Sequence, residues 1–276
     1  MQLANDHTKP VTSTPSDSFQ PTPADLARAF GLKVRDLATA GWGPRMARRF
    51  GYYSPDDYYE AVMLRLASEG MAWLDVGCGR AIFPSNPALA RLLADRVKVL
   101  VGVDPDLTLE ENAFVHERVR MPIEAFDGRH RFDLVSLRMV AEHVTDPPSV
   151  VASIASALKP GGLAIIYTVN RFSPVPLLTH LTPFAFHHVA KRVLWGTETK
   201  DTFPTAFRMN TPATLRALFA SYKFREVGCV RLDDCRTLSS FRVGFTTELL
   251  AWRSLRAVGL GYPEACLLGV YRREPA

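Results

Sequence analysis

Trp73-Leu74-Asp75-Val76-Gly77-Cys78-Gly79-Arg80-Ala81 is the stretch that decides the fold. A short apolar run bounded by glycine reads as a buried strand running straight into a turn. Gly77 and Gly79 can take positive φ and let a ligand come close to the backbone. In an open parallel sheet, such a turn lies at the carboxyl end of a strand, beside the point where the strand order reverses, and ligands bind there. Asp75, at the strand end, can accept hydrogen bonds from loop amides or from a ligand ammonium group. A Gly-x-Gly turn by itself also serves any tight turn.

The flanking sequence repeats the pattern. Val99-Leu100-Val101-Gly102-Val103-Asp104 is a second buried strand ending in an acid, suited to holding both hydroxyls of a ribose. Asp104-Pro105-Asp106 also fits a helix cap, so both readings stand. Strands are expected at Ala72–Val76, Val97–Val103, Phe132–Leu137 and Leu163–Val169, with a weaker one near Val119–Ile123. Pro148–Leu158 reads as a helix that Lys159-Pro160-Gly161-Gly162 stops. Helix (Pro212–Tyr222), strand (Arg225–Leu232), helix (Leu238–Val258) and strand (Ala265–Tyr271) complete the chain. Alternating strands and helices of this kind build a doubly wound α/β sheet. The insertion Phe83-Pro84-Ser85-Asn86-Pro87 delays the first crossover helix to about Asn86 or Pro87.

Residues 1–23 are rich in Thr, Ser, Pro and Asp and are expected to be a disordered tail. Residues 24–70 read as short helices covering the domain, and residues 71–276 as the α/β domain itself. Ser54-Pro55-Asp56-Asp57 is a strong helix start. Residues 170–210 break the alternation with a long aromatic insertion after the fifth strand, holding Phe172, Phe184, Phe186, Trp195, Phe203 and Phe207. Insertions of that length are often lids or binding loops. A helical subdomain packed only against the sheet is the competing reading.

The chain has 276 residues, 47% of them hydrophobic, enough for one large domain with a full core. The formal charge of +5 is scattered singly, without the concentrated stripe of a nucleic-acid binder. The four cysteines form no CxxC pair, and no Cys/His spacing matches a zinc site, so no metal is expected. No signal peptide and no membrane-length apolar run are read, which gives a cytoplasmic expectation.

Phe132-Asp133-Leu134-Val135, followed by Glu142-His143-Val144, and Leu158-Lys159-Pro160-Gly161-Gly162 add two further landmarks. In this order the four blocks resemble the class I, Rossmann-like S-adenosylmethionine-dependent methyltransferases, most of all their small-molecule branch. The resemblance spans roughly residues 55–235. It implies a seven-stranded, mostly parallel sheet whose last strand is antiparallel. It also implies S-adenosylmethionine as cofactor and direct methyl transfer to a small molecule, at O, N or C.

The same resemblance distributes roles. Asp75, Gly77, Cys78 and Gly79 would line the methionine moiety, and Asp104, with Pro105 beside it, the ribose. Ile123 and Glu124 would flank the adenine, and Leu137, Arg138 and Met139 the methyl-donor centre. Tyr58 would cover the cofactor. Arg80, unusual for the family, could hold a carboxylate or sit in a surface ion pair. Tyr52, Tyr53, Asn170 and Trp195 are expected on the substrate side. His143, His187 and His188 are candidate bases, since imidazole titrates near neutrality; His143 could equally be structural. The substrate pocket is expected between the insertion, Tyr52 or Tyr53, and Arg138. An NAD-dependent oxidoreductase is disfavoured by the missing third glycine. A non-catalytic relative would be expected to lose Asp75 or Asp104, and an RNA methyltransferase to add a basic module. Oligomeric state is not legible.

Overall fold

Residues 19–181 and 204–275 are described in a computed structural model. The described residues begin with three helices, α1 (Pro23–Val34), α2 (Trp42–Arg49) and α3 (Pro55–Leu66). Thr22 with Asp25, and Ser54 with Asp57, form reciprocal capping boxes, each followed by proline in the first turn. The domain then runs β1 (Ala72–Val76), α4 (Pro87–Arg96), β2 (Val99–Val103), β3 (Glu117–Val119), β4 (Phe132–Arg138), α5 (Pro147–Ala157) and β5 (Leu158–Val169). It continues with α6 (Pro174–Leu181), α7 (Pro212–Ala220), β6 (Phe224–Asp233), α8 (Arg242–Ala257) and β7 (Ala265–Arg273).

The seven strands lie in the order β3-β2-β1-β4-β5-β7-β6. Strands β1 to β5 pair in parallel, and β7 runs antiparallel to both neighbours. The chain moves outward from β1 through β3 and then returns to the other side of β1. The switch point therefore falls between β1 and β4. Two core layers sandwich the sheet. One face, with Trp73, Leu134 and Tyr167, packs under α1, α3 and α4. The other, with Leu74, Val135, Leu137 and Ile166, packs under α5 and α7.

Two boundaries differ from expectation. The third strand is three residues long, and Ile123 lies beyond it in a 3-10 turn, because Pro122 cannot donate to a ladder. The other boundary falls within residues 1–23, expected to be a disordered tail. Phe19 is buried against β6, where a Cβ on Gly228 would come within 2.4 Å of its ring. The insertion is described only at its two ends. Ser173 Oγ donates to Ala265 O, and the amides of Ala206 and Phe207 donate to Glu142 O. Among the described residues no helix is long and apolar enough to cross a membrane.

Candidate active site

The Gly77–Gly79 turn is shaped by its neighbours. Gly77 has φ of 68°, its amide donates to Val103 O at 2.7 Å, and a Cβ there would meet Val140 Cγ2 at 2.2 Å. No other residue fits. Gly79 has φ of 44°, and its amide donates to Asp104 Oδ2 at 2.9 Å. Asn112 Nδ2 donates to Gly79 O at 2.9 Å from below. The Cys78 side chain turns inward onto β2, where a Cβ on Gly102 would come within 2.6 Å of its sulfur. Cys78 therefore faces the site through its backbone, and burial pushes its thiol up.

Asp104 is not a helix cap. The following 3-10 turn (Leu107–Glu111) is capped by Asp106, which accepts from Thr108 N at 2.8 Å. Asp104 accepts from Gly79 N and Asp106 N, one on each carboxylate oxygen. A carboxylate has about four acceptor positions, so two are left for a diol.

Asp75 is buried under the turn. Trp73 Nε1 donates to Ser136 Oγ at 2.6 Å, and Ser136 Oγ donates to Asp75 Oδ1 at 2.5 Å. Burial pushes the Asp75 carboxyl up to about 7. The Ser136 hydrogen bond and the Arg138 charge pull the other way, and Asp104 adds to the rise.

Parallel pairing sets Asp75 opposite Ser136, and Arg138 opposite Tyr167. These four residues share the face under α3. Arg138 Nη2 donates to Asp56 Oδ1 at 3.0 Å, and Tyr167 OH donates to the same oxygen at 3.3 Å. Arg236 reaches the other Asp56 oxygen and forks onto Asp234 with two bonds of 2.7 Å. Burial alone would raise the Asp56 carboxyl, but Arg236 and Arg138 hold it well below the usual carboxylate range. Tyr59 stacks on Tyr167 with ring centroids 4.9 Å apart.

Tyr58 is half-buried on the wall of a groove of about 430 Å³ beside β6, while its neighbour Tyr59 faces Ser136 and Asp75. Adjacent helical residues point about 100° apart, so only one of them can face the sheet edge. Tyr52 and Tyr53 line the same groove, with Trp252. The Tyr52 hydroxyl donates to Asp233 O and accepts from Cys235 N, which fixes its ring against Trp252. Arg80 is exposed and pairs with Glu111 at 3.6 Å, the surface alternative. The Leu137 side chain points into the opposite core layer, and Ile123 is buried in that same layer. Glu124 and Pro105 are exposed, and Met139, with φ of 52°, donates its amide to Tyr167 O.

His143 Nδ1 lies 3.0 Å from Pro204 O, tying it to the end of the insertion. Asn170 is buried at the end of β5, and its Oδ1 accepts from Phe172 N. His187, His188 and Trp195 lie outside the described residues. Among the described residues no group of His, Cys, Asp and Glu could hold a metal ion. A larger concavity of about 550 Å³ lies around Lys159–Leu163, at the amino edge of the sheet and away from the Gly77–Gly79 turn.

Asp56, Tyr59, Asn112, Ser136 and Arg236 were not assigned site roles from sequence. Asp56 stood inside a recognised helix start, whose capping explained it. Ser136 could have been found from the register of Phe132–Leu137 against Ala72–Val76. Nothing in the sequence signals Arg236.

The donor set fits S-adenosylmethionine. At Gly79 a Cβ would meet only Thr108 Oγ1, at 3.8 Å, which leaves room above the backbone, a buried carboxylate suits an ammonium, and a second carboxylate keeps acceptor positions for a ribose diol. When bound, this cofactor supplies an electrophilic methyl on a positively charged sulfur.

Comparison with known proteins agrees. A family model described as a methyltransferase domain matches residues 47–226. A ubiquinone biosynthesis O-methyltransferase of Bradyrhizobium sp. (strain ORS 278) is 39% identical over 110 residues, covering 37% of this chain and 41% of that protein. The enzyme of the same name from Xanthomonas campestris pv. campestris (strain B100) is 34% identical over 142 residues, 49% of this chain and 57% of that one. The chain thus spans between two fifths and three fifths of the length of these curated relatives. Among solved structures, an S-adenosylmethionine dependent methyltransferase from Mesorhizobium loti superposes with a TM-score of 0.52 at 17% identity, covering 80% of this chain and 98% of that one. A Haloferax volcanii methyltransferase, solved in complex with the Trm112 activator, gives 0.54 at 16% identity, covering 91% and 98%. These likenesses carry the fold. With the family match across most of the α/β core and the cofactor-fitting loop, they lead to one conclusion: this chain belongs to the methyltransferase-domain family.

Proposed function

We propose that the chain methylates a small molecule at a hydroxyl oxygen. The observation that carries this reading is the likeness to proteins named ubiquinone biosynthesis O-methyltransferase, at 39% identity over 110 residues in the first of them. The site geometry supports it. At the carboxyl edge of β4 and β5, Arg138 and Tyr167 present a guanidinium and a phenol beside the buried Asp75. A hydroxyl nucleophile must shed its proton as the new C–O bond forms, and a nearby guanidinium favours the resulting oxyanion.

In this reading Asp75 holds the cofactor ammonium and Asp104 its ribose. Gly77 and Gly79 admit the methionine chain against the backbone. His143 is the proton acceptor among the described histidines, and Asn170 borders the acceptor.

Incubation of the protein with methyl-labelled S-adenosylmethionine and matched phenol, amine and carbon-acid acceptors tests the proposal. Label in the phenol, as an ether, is expected. Label in the amine or carbon acid alone overturns it.

A further inference from the structure

Arg138 sits two residues beyond Ser136, the group that binds Asp75, and on the same face of the sheet. A fixed cation here is an obstacle for a methyl donor whose sulfur is itself positively charged. The structure answers with a carboxylate brought from far away in sequence. Asp56 is 82 residues from Arg138 and 180 from Arg236, yet it bonds both guanidiniums and the Tyr167 hydroxyl.

Asp56 is not needed to start its helix, because Ser54 and Asp57 already form the capping box of α3. Its side chain turns instead to the sheet edge. Arg138, Arg236, Asp56 and Asp234 together carry no net charge, so the edge beside Asp75 is electrostatically balanced only while Asp56 is ionised.

We infer that Asp56 is a specificity-determining residue: it offsets Arg138 so that the site accepts the sulfonium of S-adenosylmethionine rather than favouring the neutral thioether product. This rests on reading Asp75 and Arg138 as donor-side residues. Donor and product share the same ammonium, carboxylate and ribose and differ by one charge at sulfur. The ratio of their affinities therefore isolates the field at that atom from every other contact.

Calorimetry of S-adenosylmethionine and S-adenosylhomocysteine binding to four proteins provides the test: the wild type, Asp56→Asn, Arg138→Met and Asp75→Asn. Removing the Asp56 charge leaves one net positive charge at the edge. Asp56→Asn is expected to weaken the donor about tenfold more than the product, equivalent to about 1.4 kcal/mol. Arg138→Met leaves a net negative edge and is expected to shift the ratio by a similar factor in the opposite direction. A general loosening of the fold cannot produce shifts of opposite sign. If Asp56→Asn does not fold, the Arg138→Met shift alone decides. Equal losses of both ligands, an unchanged ratio, or shifts of the same sign in the two variants overturn the inference. Asp75→Asn is expected to weaken both ligands alike, since both carry the ammonium. If it weakens neither, the donor-side reading fails. If it weakens both while the ratio ignores Asp56 and Arg138, only the inference fails.

Discussion

Replacing Asp75 by Asn should make the ligand-free protein more stable at neutral and alkaline pH while abolishing tight cofactor binding. Asp75 lies buried, with Ser136 Oγ donating to it at 2.5 Å, and burial pushes its carboxyl from 3.8 up to about 7. An acid whose folded pKa is raised holds its proton longer in the folded state than in the unfolded chain. Between 3.8 and about 7 the folded protein therefore binds more protons, and stability falls as pH rises through that window. At about 1.4 kcal/mol for each pH unit, the full cost of an ionised Asp75 above pH 7 is on the order of 4 kcal/mol. Asn cannot ionise, and its amide oxygen can still accept from Ser136. The stability gap between Asp75→Asn and the wild type should be near zero at pH 4 and grow to that figure by pH 8. Urea denaturation of the two ligand-free proteins across this range measures it directly.

The same linkage governs the ligand. An ammonium group requires the ionised carboxylate, so binding of S-adenosylhomocysteine at pH 6 should release close to one proton. Calorimetry in two buffers of different ionisation enthalpy counts that proton. Below about pH 7 the affinity should fall by up to tenfold for each pH unit, and above it the affinity should level off. A variant that is less stable than wild type at pH 8, or a gap that ignores pH, refutes the reasoning. Either result would mean that Asp75 is solvated or compensated in a way its burial and single hydroxyl partner do not allow.

Other substitutions probe the remaining parts. Asp104→Ala removes the acceptor of Gly79 N and Asp106 N, and calorimetry should show roughly 10- to 150-fold weaker S-adenosylhomocysteine binding; unchanged affinity refutes that role. Gly77→Ala puts a Cβ 2.2 Å from Val140 at φ of 68° and should cost about 3 kcal/mol by denaturant titration, against which an unchanged midpoint would count. Phe19→Ala empties a buried site on β6 and should cost about 3 kcal/mol in the same assay, whereas a disordered position would show no loss.

What the sequence made legible is what local chemistry encodes. Glycine at positive φ, acids at strand ends and proline-started helices announce themselves within a few residues. The turn at Gly77–Gly79, the ends of β1 and β2, and the late start of α4 at Pro87 could all be read for that reason. The placement of the tyrosines was not legible, for an equally physical reason. Tyr58 and Tyr59 are indistinguishable by type, and helix phase alone decides which of them faces the sheet edge. That phase is set by the capping box at Ser54 and by the packing of Tyr59 on Tyr167, a contact between positions 108 residues apart. Arg236 is a sharper case. Its role exists only because β6 and β5 end at the same edge of the sheet, with β7 between them, and α3 starts at that edge, and no local pattern records that meeting.

The N-terminal helices follow from the same reasoning, and they are more than a cover. Helix α3 sends successive side chains into two polar clusters. Asp57 and Glu60 share Lys33 of α1 at 2.7 and 3.0 Å, and Glu60 also accepts from Asn86, the residue that caps α4. Burial raises Glu60 to about 6, although Lys33 and Asn86 act against the rise. Asp56 and Tyr59, from the same two turns, reach the sheet edge at Arg138, Tyr167 and Ser136. Removing α3 would thus leave two arginines beside Asp75 without their shared carboxylate, and Asn86 without its acceptor. Stranded buried charges and donors of this kind cost more than the lost apolar contacts alone. A boundary near residue 70 therefore divides the sequence pattern but not the molecule. The charge balance of the candidate methyl-donor site depends on a residue that precedes the first strand of the domain containing it.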